Sequence, residues 1–176
     1  MASQYLTLYK MIVLYMLKRS DTELSKAQIY DFVLDKGYTS FLTLQEVFAE
    51  LSDKNLILEK KLRNRTFLEI TEEGSQALSF FVKDINPEIT AEIDRYLKDN
   101  KIKLRNESSI KSDYSKLPSG DYQVRLVANE RDETILDLKI AVPSEEAAVN
   151  VCENWEEDSA PVYQYLISRL LMNNEK

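Results

Sequence analysis

The sequence predicts an α+β fold, and three observations carry the prediction. Apolar residues recur at helical spacing through the first fifty positions, two stretches alternate as strands do, and polar caps precede most of the helices. Tyr5, Leu8, Ile12, Tyr15 and Met16 repeat at helical spacing, while Leu6, Tyr9, Val13, Leu14 and Leu17 cover much of the remaining circumference. A helix that is apolar nearly all round needs cover on two sides. Its own domain can supply one and a second subunit the other, which nominates Tyr5, Tyr9, Val13 and Leu14 as a dimer interface.

The second helix opens at Ser25, where Ser-Lys-Ala-Gln lets the serine cap the helix and Gln28 reach back to complete a capping box. It turns Ile29, Phe32 and Val33 inward and stops at Gly37, the residue best suited to a left-handed end. After the link Tyr38 to Leu42, Thr43-Leu-Gln-Glu46 reads as another capping box. Leu44, Val47, Phe48 and Leu51 then give a third helix its apolar face, ending near Asn55. Leu56 to Leu58 reads as a strand, Lys60 to Asn64 as a polar turn and Arg65 to Ile70 as the returning strand. Thr71 caps a fourth helix carrying Ala77, Leu78, Phe81 and Val82. Three helices, a hairpin with a basic tip and a capped fourth helix are, in that order, the parts of a winged helix-turn-helix over residues 1–82.

Pro87 starts a helix running to about Asn100, and the polar stretch after it completes a connecting helix and linker over 83–105. The remaining residues, 106–176, predict a second α+β domain. Ile110 to Leu117 is a weak strand, Tyr122 to Ala128 and Ile135 to Val142 alternate as a hairpin, and Asn129 to Glu133 is the charged turn between them. Ser144 caps a helix with the apolar face Ala147, Ala148, Val151, Cys152 and Trp155, and a last helix runs from about Ser159 to Leu171.

Charge divides with the chain. The formal net charge of -7 comes entirely from residues 84–176, with 12 basic and 19 acidic side chains, whereas residues 1–83 hold 11 of each. The acidity therefore does not forbid a nucleic-acid partner for the first half. The chain has no histidine and one cysteine, Cys152, which removes the commonest general base, the commonest metal ligand and any intrachain disulfide. A reducing cytoplasm fits that usage. The apolar run Tyr5 to Leu17 would span only about 20 Å as a helix against a hydrocarbon core of about 30 Å, so no membrane is expected. There is no phosphate-cradling glycine loop, nucleophile set or metal spacing, and each of the three glycines already serves a cap or turn. Catalysis, a metal and a cofactor are accordingly not expected.

The residues that suit DNA are in the third helix and the hairpin. Thr43, Gln45 and Glu46 stand on the exposed face of the helix that would enter the major groove, where glutamine reads adenine and glutamate accepts from cytosine. Thr39 and Ser40, just ahead of it, suit phosphates. Lys60, Lys61, Arg63 and Arg65 place four cations within six positions, enough to follow a backbone or reach into a minor groove. Glu46, Glu50 and Asp53 oppose this by repelling phosphate, which leaves a protein-binding winged helix as the alternative. A second basic stretch, Arg95 to Arg105, reads as a solvated helix end and linker.

The run Asn55-Leu-Ile57, the basic hairpin and Phe67-Leu-Glu-Ile-Thr-Glu-Glu-Gly74 resemble the wing and following helix of the MarR and PadR groups of bacterial repressors. Over the whole chain, the tract Ser25 to Leu34, Gly37-Tyr38, the alternating C-terminal hairpin and Trp155 resemble a family of Gram-positive bacterial proteins described as a domain of unknown function. The first resemblance implies a homodimeric regulator of transcription on double-stranded DNA, with an effector that it does not name. The acidic third helix departs from the more basic recognition helices of those repressors. The second resemblance implies the same division into an N-terminal winged helix and a C-terminal α/β domain.

Overall fold

A computed structural model describes residues 2–63, 65–131 and 133–172. Asn64 and Asp132, each assigned by the sequence to a hairpin turn, lie outside the described residues. The fold is α+β and separates into two compact units, Met1–Ser108 and Ser109–Lys176.

The first unit is built around α1 (Ala2–Arg19). Its central residues Ile12, Val13, Leu14 and Met16 are at most 1% exposed. The reason is local to the chain: α3 (Phe41–Asp53), α4 (Glu72–Phe81), α5 (Pro87–Asp99) and β3 (Arg65–Ile70) pack around this helix. Both sides of its apolar circumference are thus covered within one unit. Val13 and Leu14, expected at a dimer interface, are core residues, and Tyr9 packs half-buried against the same core. Of the four, Tyr5 alone is well exposed, at 59%.

Leu24–Ser25 forms a two-residue strand, β1, too short to show as alternation in sequence. Helix α2 (Lys26–Asp35) has the expected capping box: Gln28 N–H donates to Ser25 Oγ at 3.2 Å, and Ser25 N–H donates to Gln28 Oε1 at 2.8 Å. Gly37 follows at φ +67°, the left-handed conformation that favours glycine. Helix α3 (Phe41–Asp53) starts earlier than expected, because Ser40 caps it by accepting from Thr43 N–H, and Thr43 is therefore inside the helix.

Strands β2 (Ile57–Leu62) and β3 (Arg65–Ile70) pair antiparallel, from Ile57 opposite Ile70 to Leu62 opposite Arg65. Lys60 and Lys61 accordingly belong to β2 and not to the turn, whose first residue is Arg63 at φ 47°. β1 pairs on the other edge of β3, giving the order β1-β3-β2. Helix α4 (Glu72–Phe81) is capped by Thr71, which accepts from Gly74 N–H at 2.9 Å. Gly74 is required by contact: a Cβ there would lie 2.1 Å from the Leu56 carbonyl oxygen.

Residues 83–105 do more than connect. Helices α5 (Pro87–Asp99) and α6 (Lys101–Ser109) belong to the first unit, and Ile93 and Leu104 are buried in its core. The polar composition of α6 hides this, since Leu104 is its one buried residue. Polar ties hold it instead: Gln28 Nε2 donates to the Glu107 carboxylate, and Arg65 Nη1 donates to the Glu107 carbonyl at 3.3 Å.

In the second unit, β4 (Ile110–Lys116), β5 (Tyr122–Glu130) and β6 (Glu133–Val142) form an antiparallel sheet in sequence order. Val124, Leu126 and Ala128 on the inner face of β5 meet Ala148, Cys152 and Trp155 of α7 (Glu145–Leu171). The last two expected helices are one. Pro161 lies inside α7, where it forfeits a single backbone hydrogen bond without ending the helix.

Candidate nucleic-acid interface

Leu44, Val47, Phe48 and Leu51 are each at most 1% exposed, which fixes the rotation of α3 and turns Gln45, Glu46 and Ala49 to solvent. Thr43 and Ser40 are partly engaged with each other, Oγ to Oγ1 at 2.9 Å, as members of the cap. Thr39 is half-buried. Glu50 does not add to the repulsive face, because the Lys10 ammonium of α1 donates to its carboxylate and holds its pKa below the ordinary value. Two exposed carboxylates, Glu46 and Asp53, remain of the three that the sequence placed on this helix.

The early start of α3 brings two residues onto it that sequence reasoning assigned to the link. Leu42 is 74% exposed, and Phe41 is 49% exposed while stacking on Tyr30 at 4.6 Å between ring centroids. The signal that could have found them was Ser40, as good a cap as Thr43 in sequence.

The four hairpin cations have different surroundings. Lys60 lies between Glu69 at 2.8 Å and Glu23 at 3.3 Å, and the hydrogen bond to Glu69 raises its pKa. Arg65 is half-buried and donates to the Glu107 carbonyl. Lys61 is exposed on β2, and Arg63 stands at the turn. Helix α3 packs against β2, the strand that follows it in the chain. In the second basic stretch, Lys101 pairs with Asp21 at 3.0 Å, whereas Lys103 pairs with Glu107 at 4.0 Å, one turn along α6 itself.

Elsewhere in the first unit, an open groove of about 590 Å³ is lined by Asp31, Phe32, Lys36, Glu92, Arg95 and Tyr96 among others. Tyr38 donates to Glu92 beside it, and burial with that hydrogen bond raises the phenol pKa. In the second unit Cys152 is fully buried, its thiol placed for packing. Among the described residues no helix is long and apolar enough to cross a membrane.

Fold and surface together define an α+β protein whose first unit presents one helix and one cation-bearing hairpin. The chain belongs to the family described as a domain of unknown function (DUF4364), whose model matches residues 9–170 and so spans both units. No curated protein and no solved structure matches the chain.

Proposed function

We propose that the protein is a DNA-binding transcriptional regulator of winged-helix type, acting as a homodimer in the cytoplasm. In this reading α3 enters the major groove and the tip of the β2–β3 hairpin lies on the backbone or in the minor groove. The observation that carries it is the element order α1-β1-α2-α3-β2-β3 with β1 and β2 flanking β3, in which Gln45 is exposed on α3 and Lys61 on β2. Removal of Glu50 from the exposed charge by Lys10 supports it, since that carboxylate would otherwise repel phosphate. In this reading the protein acts by binding, in keeping with a sequence that has no histidine.

A second reading has its own observation. Leu42 and Phe41 expose apolar surface beside Glu46, a combination better matched to a basic protein partner than to a duplex. Selection of bound fragments from random duplex DNA by the full chain, at two salt concentrations, separates the two. Enrichment of a sequence with affinity falling steeply as salt rises is expected for the regulator. Absence of salt-dependent affinity for any duplex at about 50 mM salt overturns it in favour of the protein partner.

A further inference from the structure

Strand β6 is an open edge of the second sheet. β5 occupies one side of it, and among the described residues no strand pairs on the other. A free edge presents a row of unpaired backbone N–H and C=O groups, a template for another strand. The two edges of this sheet differ. In β4, residues 110–114 are all half-buried, whereas in β6 residues 133–135, Asp137 and residues 139–141 are exposed. Helix α7 lies chiefly over β4 and β5, so Ile140, opposite the buried Val124 on the helix side of β6, is left 40% exposed.

The two faces of β6 say what would pair there. On the face away from α7, Arg125 of β5 donates to both oxygens of Asp137, at 2.9 and 2.7 Å. Lys139, on the same face, stands directly opposite Arg125. The cation at this position thus faces a cation of its own chain, an unfavourable cross-strand pair. On the helix side Leu136, Leu138 and Ile140 alternate with these charges, apolar throughout.

We propose that β6 pairs antiparallel, edge to edge, with β6 of a second copy of this chain, on a two-fold axis at Leu138. In that register Asp137 lies opposite Lys139 of the second copy and Lys139 opposite its Asp137, two opposite-charge pairs from one contact. On the other face Leu136 meets Ile140, and Leu138 meets its own equivalent. Charge selects this register and direction. Moving the axis by one position, to Asp137 or to Lys139, sets like charges face to face. A parallel pair in register lays aspartate beside aspartate and lysine beside lysine, and an odd offset sets the charged face of one strand against the apolar face of the other. A two-fold contact is self-complementary and closes at two copies. Its length is limited by a bulge: Ala128 pairs with Leu136 but Asn129 with Thr134, so Ile135 is an extra residue in β6. Symmetry applies that limit at both ends and leaves residues 136–140 of each copy, about 17 Å. The contact therefore falls at the weak end of specific interfaces, and the dimer dissociates on dilution. This inference rests on the proposed function only for self-association and is tested without DNA, so either reading can fail alone.

Sedimentation of the full chain from about 1 to about 100 μM should show the mass rising from one chain towards two. Lys139→Asp should hold the one-chain mass throughout with unchanged circular dichroism, because each cross-strand pair becomes carboxylate against carboxylate. Asp137→Lys should do the same with ammonium against ammonium. An equimolar mixture of the two variants should recover the two-chain mass, since every pair is again of opposite sign. Cysteine pairing reads the register, with the buried Cys152 left in place. Ile140→Cys mixed with Leu136→Cys should oxidise to a linked dimer. Ile140→Cys alone should not, because antiparallel copies separate those positions by about 14 Å along the strand. A wild-type chain that stays monomeric at the highest concentration overturns the proposal, as does a Lys139→Asp chain that dimerises like the wild type. Two folded charge variants that remain apart when mixed also overturn it. If Asp137→Lys does not fold without its bond to Arg125, the cysteine pair decides: a missing mixed link, or a self-link of Ile140→Cys as efficient as the mixed one, overturns the proposal.

Discussion

The Lys10 ammonium on α1 donates to the Glu50 carboxylate on α3, across forty positions of sequence. Its consequences are mechanical and electrostatic. The pair ties the central helix of the first unit to the helix proposed to meet DNA, and it neutralises one of that helix's three carboxylates. A sequence reading that counts charge along α3 alone overstates the repulsion.

The first prediction follows from the sign of that pair. Lys10 holds the Glu50 carboxyl below its ordinary value, chiefly through the hydrogen bond. A carboxylate depressed in the folded state adds stability above its unfolded pKa of about 4.3, and that stability is lost as pH falls through the lower folded value. Glu50→Gln should therefore melt slightly below the wild type at pH 7, and the two curves should converge as pH falls through the lowered folded value. A gap of constant size from pH 7 to pH 3 would show that the pair contributes nothing to folding.

Gly74→Ala should destabilise the first unit by about 3 kcal/mol, the upper end for overpacking, because the new methyl group would meet the Leu56 carbonyl at 2.1 Å. That carbonyl is not free to withdraw: it accepts from Thr71 N–H at 3.1 Å, next to the cap of α4. Thermal melting of the variant checks this. An unchanged midpoint would mean that α4 and the Leu56 backbone can separate at no cost.

Leu14 supplies a third test, since sequence periodicity assigned it to an interface and the fold buries it completely. Leu14→Ala should cost about 2–5 kcal/mol, the range for a truncated core leucine, with no change in self-association. Leu14→Glu should fail to fold. Soluble, fully folded Leu14→Glu monomers would return this residue to an interface.

Local chemistry was legible in the sequence and non-local chemistry was not. The Ser25–Gln28 box, the Thr71–Gly74 cap and the left-handed Gly37 are each written within at most four consecutive residues, so residue types alone locate them. β1 has two residues and exists because Leu24 and Ser25 find Leu68 and Phe67, which no periodicity over two positions can announce. For α1, an apolar circumference states that cover is needed without saying whose, and the cover proves to be the chain's own α3, α4, α5 and β3. The hairpin behaves likewise. Its four cations look equivalent in sequence, yet Glu23, Glu69 and Glu107 engage Lys60 and Arg65 from positions far along the chain or across the strand.

The hairpin cations also give the last prediction, which separates the two functions. If the tip lies on phosphates, replacing Lys61 or Arg63 by Ala should weaken binding to all duplexes about equally and lower the salt slope by about 1 for each. Lys60→Ala should change it less, since Glu23 and Glu69 already share that ammonium. Gln45→Ala should act in the opposite manner. It should relax the preference at one base position for about 1–3 kcal/mol and leave the salt slope nearly unchanged, because a side chain on the exposed face of α3 meets a base edge and not the uniform backbone. Leu42→Ser adds the contrast. Its side chain is 74% exposed on the first turn of α3, so for a DNA reader it should leave the salt slope unchanged and base preference largely intact. For a protein-binding module it removes apolar contact area, and partner affinity should fall while Lys61→Ala has little effect. Equilibrium titration of these variants at two salt concentrations reads all the signatures. If Leu42→Ser proves more damaging than Lys61→Ala and Arg63→Ala combined, the exposed apolar end of α3 becomes the functional surface, and the DNA reading is lost.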